Sequence, residues 1–148
     1  MNINKFTQKS MEAVQNCEKL AYEFGNQEID QEHLLKSLID QEDGLILKLI
    51  EKMEINTAHF SNRVTEDLNK KVKVQGGDLR ISNDLNKVLI TAEDEAKAMG
   101  DEYVSVEHLF LSLLKYPNKA MKELFKEYGI TRDRFLTALS TVRGNQRV

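Results

Sequence analysis

The sequence predicts an all-α domain of eight helices, built as a pseudo-twofold duplication of a four-helix repeat. Three observations carry that prediction. The stretch Glu32-His33-Leu34-Leu35-Lys36-Ser37-Leu38-Ile39 returns as Glu107-His108-Leu109-Phe110-Leu111-Ser112-Leu113-Leu114. The same shift carries Ala21 onto Ala96, Gly25 onto Gly100, Leu49 onto Leu124, Ile55 onto Ile130 and Phe60 onto Phe135, so the repeated unit is a structural half rather than a local motif. Apolar residues recur at three- and four-residue spacing through both copies, the pattern of helices with one buried face. Two copies are too few for a solenoid, so the halves are expected to pack on each other and melt together.

Each element has its own start and stop. Thr7 is placed to cap the first helix, with Phe6 set to contact Met11 across the first turn. Ala13, Val14, Cys17, Leu20, Ala21 and Phe24 mark its apolar face, and Gly25 ends it. Asp30 caps the second helix and puts Glu32 in the first turn, where an acid is favoured by the helix dipole; Leu34, Leu35, Leu38 and Ile39 enter the core. Gly44 separates it from a third helix with Leu45, Ile46, Leu49, Ile50 and Met53. A fourth begins near Asn56, with Phe60, Val64 and Leu68 four apart. Repeat one thus covers about 6–69. Residues 70–80 lack helical periodicity and contain Gly76-Gly77-Asp78, a turn signal that reads as the linker. Repeat two, about 81–143, opens at Ile81-Ser82 and presents Leu85, Val88, Leu89, Ala92, Ala96 and Met99 before Gly100. Ser105 caps the next helix, Tyr116-Pro117-Asn118 starts the one with Met121, Leu124, Phe125 and Tyr128, and Gly129 closes it. Thr131 caps a last helix with Phe135, Leu139 and Val142 on one face. Arg143 to Val148 reads as frayed.

Composition bounds the function classes. A chain of 148 residues with 41% hydrophobic and 30% charged residues suits one soluble domain with a real core. No apolar run approaches the roughly 20 residues of a membrane span. Cys17 is the lone cysteine, so no internal disulfide forms, and its repeat counterpart Ala92 marks the position as small and buried. Met1-Asn2-Ile3-Asn4-Lys5 leads into polar sequence without a signal peptide's apolar core, and a reducing cytoplasm is the expected compartment. A net charge of −3 gives little reason to expect nucleic acid, and the lysines Lys70, Lys71 and Lys73 read as a solvated linker.

The search for catalytic chemistry yields no catalytic residue, cofactor site or metal site. No Gly-x-x-x-x-Gly-Lys-Ser/Thr loop is present, so this segment has no phosphate cradle of its own. His33 and His108 follow an acid but lack His-Glu-x-x-His order, and His59 has no ligand at metal spacing. Glu32 and Glu107 are matched acids in the two copies. They define the competing reading, a stand-alone helical enzyme working through two carboxylates, which lacks a nucleophile, cofactor loop or metal set.

Phe6-Thr7-Gln8-Lys9-Ser10, the paired Glu-His-Leu stretches, the segment from Gly100 to His108 and the ending Val142-Arg143-Gly144-Asn145 resemble the N-terminal domain of Clp ATPases, over essentially the whole chain. The likeness is strongest to the disaggregase, ClpB-type branch. The protease-partnered, ClpC-type branch, which is the alternative, writes Gly-Thr-Glu-His where this chain has Asp30-Gln31-Glu32-His33 and Ser105-Val106-Glu107-His108. The resemblance implies a client- and adaptor-binding domain that engages unfolded or aggregated polypeptides, a monomer in isolation. It also implies ATPase modules beyond residue 148, a homohexameric ring, and ATP with magnesium as cofactors of the full-length protein. It nominates Thr7, Asp101 and Glu107 for client handling, beside an apolar groove to which Leu89 and Leu109 contribute.

Overall fold

The computed structural model of the chain describes residues 2–144. After a single 3-10 turn at Ile3–Lys5, the described residues form α1 (Gln8–Glu23), α2 (Gln31–Asp40), α3 (Leu45–Lys52), α4 (Thr57–Asn69), α5 (Asn83–Ala98), α6 (Val106–Lys115), α7 (Lys119–Tyr128) and α8 (Arg132–Arg143). Four helices lie on each side of residues 70–82, in the same order. The starts follow the capping residues: Thr7, Asn56, Ser82, Asn118 and Thr131 each accept a hydrogen bond from the amide three positions on, pairing one of the donors that a helix N-terminus leaves open.

The core is built on α2 and α6, the helices that carry the repeated Glu-His-Leu stretches. Eight consecutive residues of α6, from Val106 to Leu113, are buried, and α2 is buried nearly all round from Gln31 to Ile39. A helix enclosed on every side must sit at the centre of its half. Around them, Phe110 of α6 stacks on Phe135 of α8 with centroids 4.5 Å apart, and Phe60 of α4 meets Tyr128 of α7 edge-on at 5.1 Å. The two equivalent contacts Ser37 Oγ to Ala13 O (2.6 Å) and Ser112 Oγ to Val88 O (2.8 Å) tie each central helix to the first helix of its own half.

Two short strands, absent from the helical reading, lock the halves together. β1 (Glu28–Ile29) runs parallel to β2 (Arg80–Ile81), and Phe6 bridges Val104 in parallel as well. These are the same contact made twice: the duplication maps Ile29 onto Val104 and Phe6 onto Ile81. The amide of Ser82 donates to Ile29 O at 2.9 Å, and its counterpart, the amide of Thr7, donates to Val104 O at 2.9 Å. Each half therefore lends the residues before its first helix to the other half's connection between first and second helices. Two-residue strands have no periodicity, so a pattern search over longer windows does not see them.

Three expectations need correction. Val142 is 44% exposed rather than part of the buried face of α8. Arg143 is not frayed: it is the last residue of α8, with its side chain buried against Asp101 and Glu107; residues 145–148 of the stretch expected to fray lie outside the described residues. Nor are Lys71 and Lys73 merely solvated. Lys71 reaches Glu32 at 2.8 Å and Asp30 at 3.3 Å, while Lys73 donates to Phe24 O at 2.7 Å. With Val74 N bonded to Gly25 O at 2.8 Å and Asn26 Nδ2 to Val72 O at 3.1 Å, residues 71–74 are fastened along the end of α1.

The helix ends also record how far the copies have drifted. Gly25 and Gly100 take φ of 72° and 74°, and the following amides close back onto Ala21 O and Ala96 O at 2.8 and 2.9 Å, the left-handed stop that glycine makes without steric penalty. Gly129 ends α7 in the same way at φ 64°. Its counterpart after α3 is Glu54, forced to φ 62°, and there the closing bond from Ile55 N to Ile50 O is stretched to 3.4 Å. A side chain in this region costs about 1–2 kcal/mol, partly offset by the greater freedom glycine has when unfolded. Glu54→Gly is therefore expected to stabilise the domain by about 1 kcal/mol and raise Tm by roughly 2–4 °C. Thermal melts read by circular dichroism check it.

Candidate functional site

The entries to α2 and α6 are built alike from buried polar groups. The amide of Asp30 donates to His33 Nδ1 at 2.9 Å, and that of Ser105 to His108 Nδ1 at 2.8 Å. Each imidazole thus takes the place of the Glu or Gln that reaches back to the cap amide in a capping box. With Nδ1 accepting, the proton sits on Nε2, which donates to Asn26 Oδ1 at 2.9 Å in the first half and to Asp101 Oδ2 at 2.7 Å in the second. Asn26 and Asp101 are repeat counterparts. Both rings are fully buried and stay neutral. Burial, reinforced by the Lys71 charge against the pull of Asp30, brings His33 down to about 4. Burial also lowers His108, against the opposing Asp101 hydrogen bond and the charges of Glu107 and Asp101.

Asp101, His108 and Ser105 form a line that invites comparison with a nucleophile triad, since Ser105 Oγ lies 3.1 Å from His108 Nδ1. The chemistry does not follow. The Nδ1 lone pair is already engaged by the Ser105 amide, and the Ser105 hydroxyl donates to Glu107, so nothing remains to withdraw its proton.

The paired carboxylates each answer to a cation from the end of their own half. Glu32 binds Lys71 at 2.8 Å and accepts from Asn118 Nδ2 at 2.8 Å. Its neighbour Asp30 accepts from Gln31 N and Ser82 Oγ, both at 2.8 Å. Burial would raise the Asp30 carboxyl, but those donors and Lys71 together hold it below its ordinary range. Glu107, 4% exposed, lies 3.7 Å from Arg143 Nη1 and accepts from Ser105, while Asp101 pairs with Arg143 Nη2. Thr7 caps α1, accepting from Ser10 N at 3.2 Å, and Ser10 Oγ continues to Val104 O at 2.6 Å. Among the described residues no group of three His, Cys, Asp or Glu side chains is placed to hold a metal.

An apolar groove of about 200 Å3 lies between α1 and α5. Val14 and Cys17 face it from α1, Leu85 and Leu89 from α5, and the buried Ile29 floors one end, where β1 meets β2, with Ile81 beside it. Val14 and Leu89 are repeat counterparts, and counterparts share one groove only where the pseudo-twofold axis passes between them. Ile81 stands at the rim, half exposed at 50%. Cys17 is buried, and burial pushes its thiol up to about 12, so it packs as a small apolar group. Of the nominated residues, Leu89 lines this groove. Leu109 is fully buried in α6, and Asp101 opens instead onto a second cavity of about 350 Å3 beside Lys5, Glu93 and Tyr103. Sequence reasoning missed Val14, Ile29 and Ile81. The duplication held a signal for one of them, because Leu89 was nominated and Val14 is its counterpart.

The sequence pattern of the Clp repeat (R) N-terminal domain family matches residues 5–128, and the chain belongs to this family. Its sequence relatives include ClpB chaperones. The chaperone protein ClpB of Nitratidesulfovibrio vulgaris is 40% identical over 154 aligned residues, covering 100% of this chain and 18% of the relative. That of Bacillus anthracis is 36% identical with the same coverage of both. The chain thus spans 18% of the length of these relatives. Among solved structures, the Hsp104 N-terminal domain of Candida albicans superposes with a TM-score of 0.83 at 27% identity, covering 97% of this chain and 94% of that one. A ClpV N-domain solved in complex with a VipB peptide matches with a TM-score of 0.73 at 18% identity, covering 97% and 90%. That last likeness is one of fold. No helix of the described residues is long and apolar enough to cross a membrane.

The buried histidines give a pH dependence with a definite sign. Their folded affinity for protons is depressed, so below about pH 6.5 the unfolded chain takes up protons that the folded chain refuses, and stability falls as pH drops. For His33 the window runs from about 6.5 down to about 4, worth roughly 3 kcal/mol in all. It lies above the range in which Asp30, with its lowered pKa, is lost. His33→Gln keeps an acceptor for the Asp30 amide but cannot protonate. Melts from pH 7.5 to 4.5 are expected to show a shallower loss of Tm in His33→Gln than in the parent.

Proposed function

We propose that this domain is the client- and adaptor-binding module of a ClpB-type chaperone, holding apolar segments of unfolded or aggregated polypeptides in the groove between α1 and α5. The observation that carries the reading is the groove itself: an apolar floor on the pseudo-twofold axis, walled by two rigid helices, with Ile81 exposed at its edge. It is smaller than the roughly 300–1,000 Å3 of small-molecule sites, so it takes one or two side chains of a chain that is otherwise free. Shallow apolar contact of this kind tolerates many sequences and releases them readily. The ClpV N-domain with its VipB peptide supports peptide capture as a use to which the fold is suited. The full-length protein, in this reading, is a cytoplasmic homohexameric ATPase that uses ATP and magnesium and receives clients from this domain.

Thr7, Asp101 and Glu107 take a positioning role here. Thr7 fixes the start of α1, one wall of the groove. Asp101 and Glu107, clamped by Arg143, hold the connection from α5 to α6 behind the other wall. Their buried, paired side chains suit that work better than contact with a passing client.

A pair of variants separates wall from frame. Ile81→Ser removes apolar surface at the half-exposed rim and is expected to weaken binding of an unfolded client about three- to tenfold, with a loss of about 1 kcal/mol of stability from the half of the side chain that is buried, and binding is measured well below the melt. Glu107→Gln leaves Arg143 with less counter-charge and is expected to lose roughly 1–3 kcal/mol of stability, with client affinity within twofold when measured well below the melt. Fluorescence anisotropy with an unfolded chain and a folded control, beside thermal melts, gives both numbers. Unchanged binding in Ile81→Ser would remove the groove from the client site.

A further inference from the structure

The groove carries one charged side chain among its lining residues, Glu18 of α1, and the duplication shows how that carboxylate comes to stand alone. Its counterpart in the second half, Glu93, is paired with Lys5 at 4.0 Å. The residue equivalent to Lys5 is Arg80, which should by symmetry reach Glu18. It turns to Glu28 instead, 3.8 Å away. The position equivalent to Glu28 is Tyr103, so in the second half no acid competes for Lys5. One turn away along α1 on either side, Glu18 meets Val14, Gln15, Ala21 and Tyr22, none of them a cation. Glu18 is exposed, and among the described residues it has no ion pair or hydrogen-bonded side-chain partner.

An unpaired carboxylate at the lip of an apolar slot is a recognition element for a cation attached to an apolar group. We propose that the groove selects client segments in which an aliphatic or aromatic side chain is flanked, within about two residues, by Lys or Arg. The apolar group enters between Val14 and Leu89, and the cation meets Glu18. In an extended segment, residues two apart lie on the same side at about 6.6–6.8 Å, which lets one side chain fill the slot while its neighbour reaches the rim. This inference rests on the groove being the client site. Because Glu18 is exposed, the charge preference is modest and screened by salt, and the apolar contact remains the larger part of the affinity.

The test uses short labelled peptides sharing one apolar centre and flanked by Lys, Gln or Glu, titrated by anisotropy at low and high salt. The proteins are the parent, Glu18→Gln, Glu18→Lys and Ile81→Ser. The parent is expected to bind the Lys-flanked peptide roughly two- to fivefold more tightly than the Gln-flanked one, with the Glu-flanked peptide weakest. That order is expected to collapse in Glu18→Gln and at high salt, and to invert in Glu18→Lys. Equal affinity of the parent for all three peptides, with weakening by Ile81→Ser retained, would overturn the charge preference and leave the groove reading intact. Binding of none of them, or binding indifferent to Ile81→Ser, would overturn the groove reading and this inference with it. Self-association of the parent that is lost in Ile81→Ser would assign the groove to a second copy of the chain and overturn both.

Discussion

The contact on which the rest of this structure depends is the exchange of backbone pairing between the two repeats. Ile29 with Ile81, and Val104 with Phe6, are one interaction used twice. Each half donates the residues ahead of its first helix to the other, so neither can form its own entry segment alone. The consequence reaches the surface. The exchange draws α1 and α5 together on the pseudo-twofold axis, close enough to share a groove between Val14 and Leu89 yet spaced by the short strands that floor it. A few backbone hydrogen bonds contribute only about 0.5–1.5 kcal/mol each; their importance here is geometric, because they fix where two much larger apolar faces meet.

Duplication with divergence accounts for the polar interior. Both central helices open with an imidazole bonded to the cap amide, yet its outer nitrogen faces a neutral amide in Asn26 and a carboxylate in Asp101. Each half ends on a cation that returns to the buried acid of its central helix, Lys71 for Glu32 and Arg143 for Glu107. Gln31 breaks the pattern most plainly. Its counterpart is the apolar Val106, while Gln31 itself reaches across to the second half, donating to Asp84 O at 3.1 Å and Tyr116 O at 2.8 Å and accepting from Asn118 N at 2.8 Å. A fully buried amide placed between the halves is satisfied only in one relative arrangement of them, which adds specificity to a contact that apolar packing alone leaves loosely defined.

The helices were legible because helical signals are local. Thr7, Ser82, Asn118 and Thr131 announce their helices by side-chain chemistry, and Gly25, Gly100 and Gly129 end theirs through a backbone angle that other residues adopt with strain. The four-plus-four order followed from the repeated Glu-His-Leu stretch. What escaped was non-local. Nothing in the spacing of Glu28-Ile29 or Arg80-Ile81 says that they pair, and the linker lysines looked solvated because their partners, Glu32, Asp30 and Phe24 O, lie many residues away. The groove was half legible. Leu89 was found by resemblance, whereas Ile81 and Ile29 belong to the groove only through the strand pairing, and the isolation of Glu18 emerges only when two related ion pairs are compared in space.

If the exchanged pairing is what joins the halves, the amides that cross between them open only when the whole domain unfolds. Native-state hydrogen exchange across a denaturant series tests this directly. The amides of Thr7, Ser82 and Val104, whose acceptors lie in the opposite half, are expected to exchange with the same free energy and the same denaturant dependence as the slowest amides of α2 and α6. Exchange of those three amides at markedly lower free energy while both central helices stay protected, or loss of protection in one central helix well before the other, would show that the halves hold together without the exchanged strands.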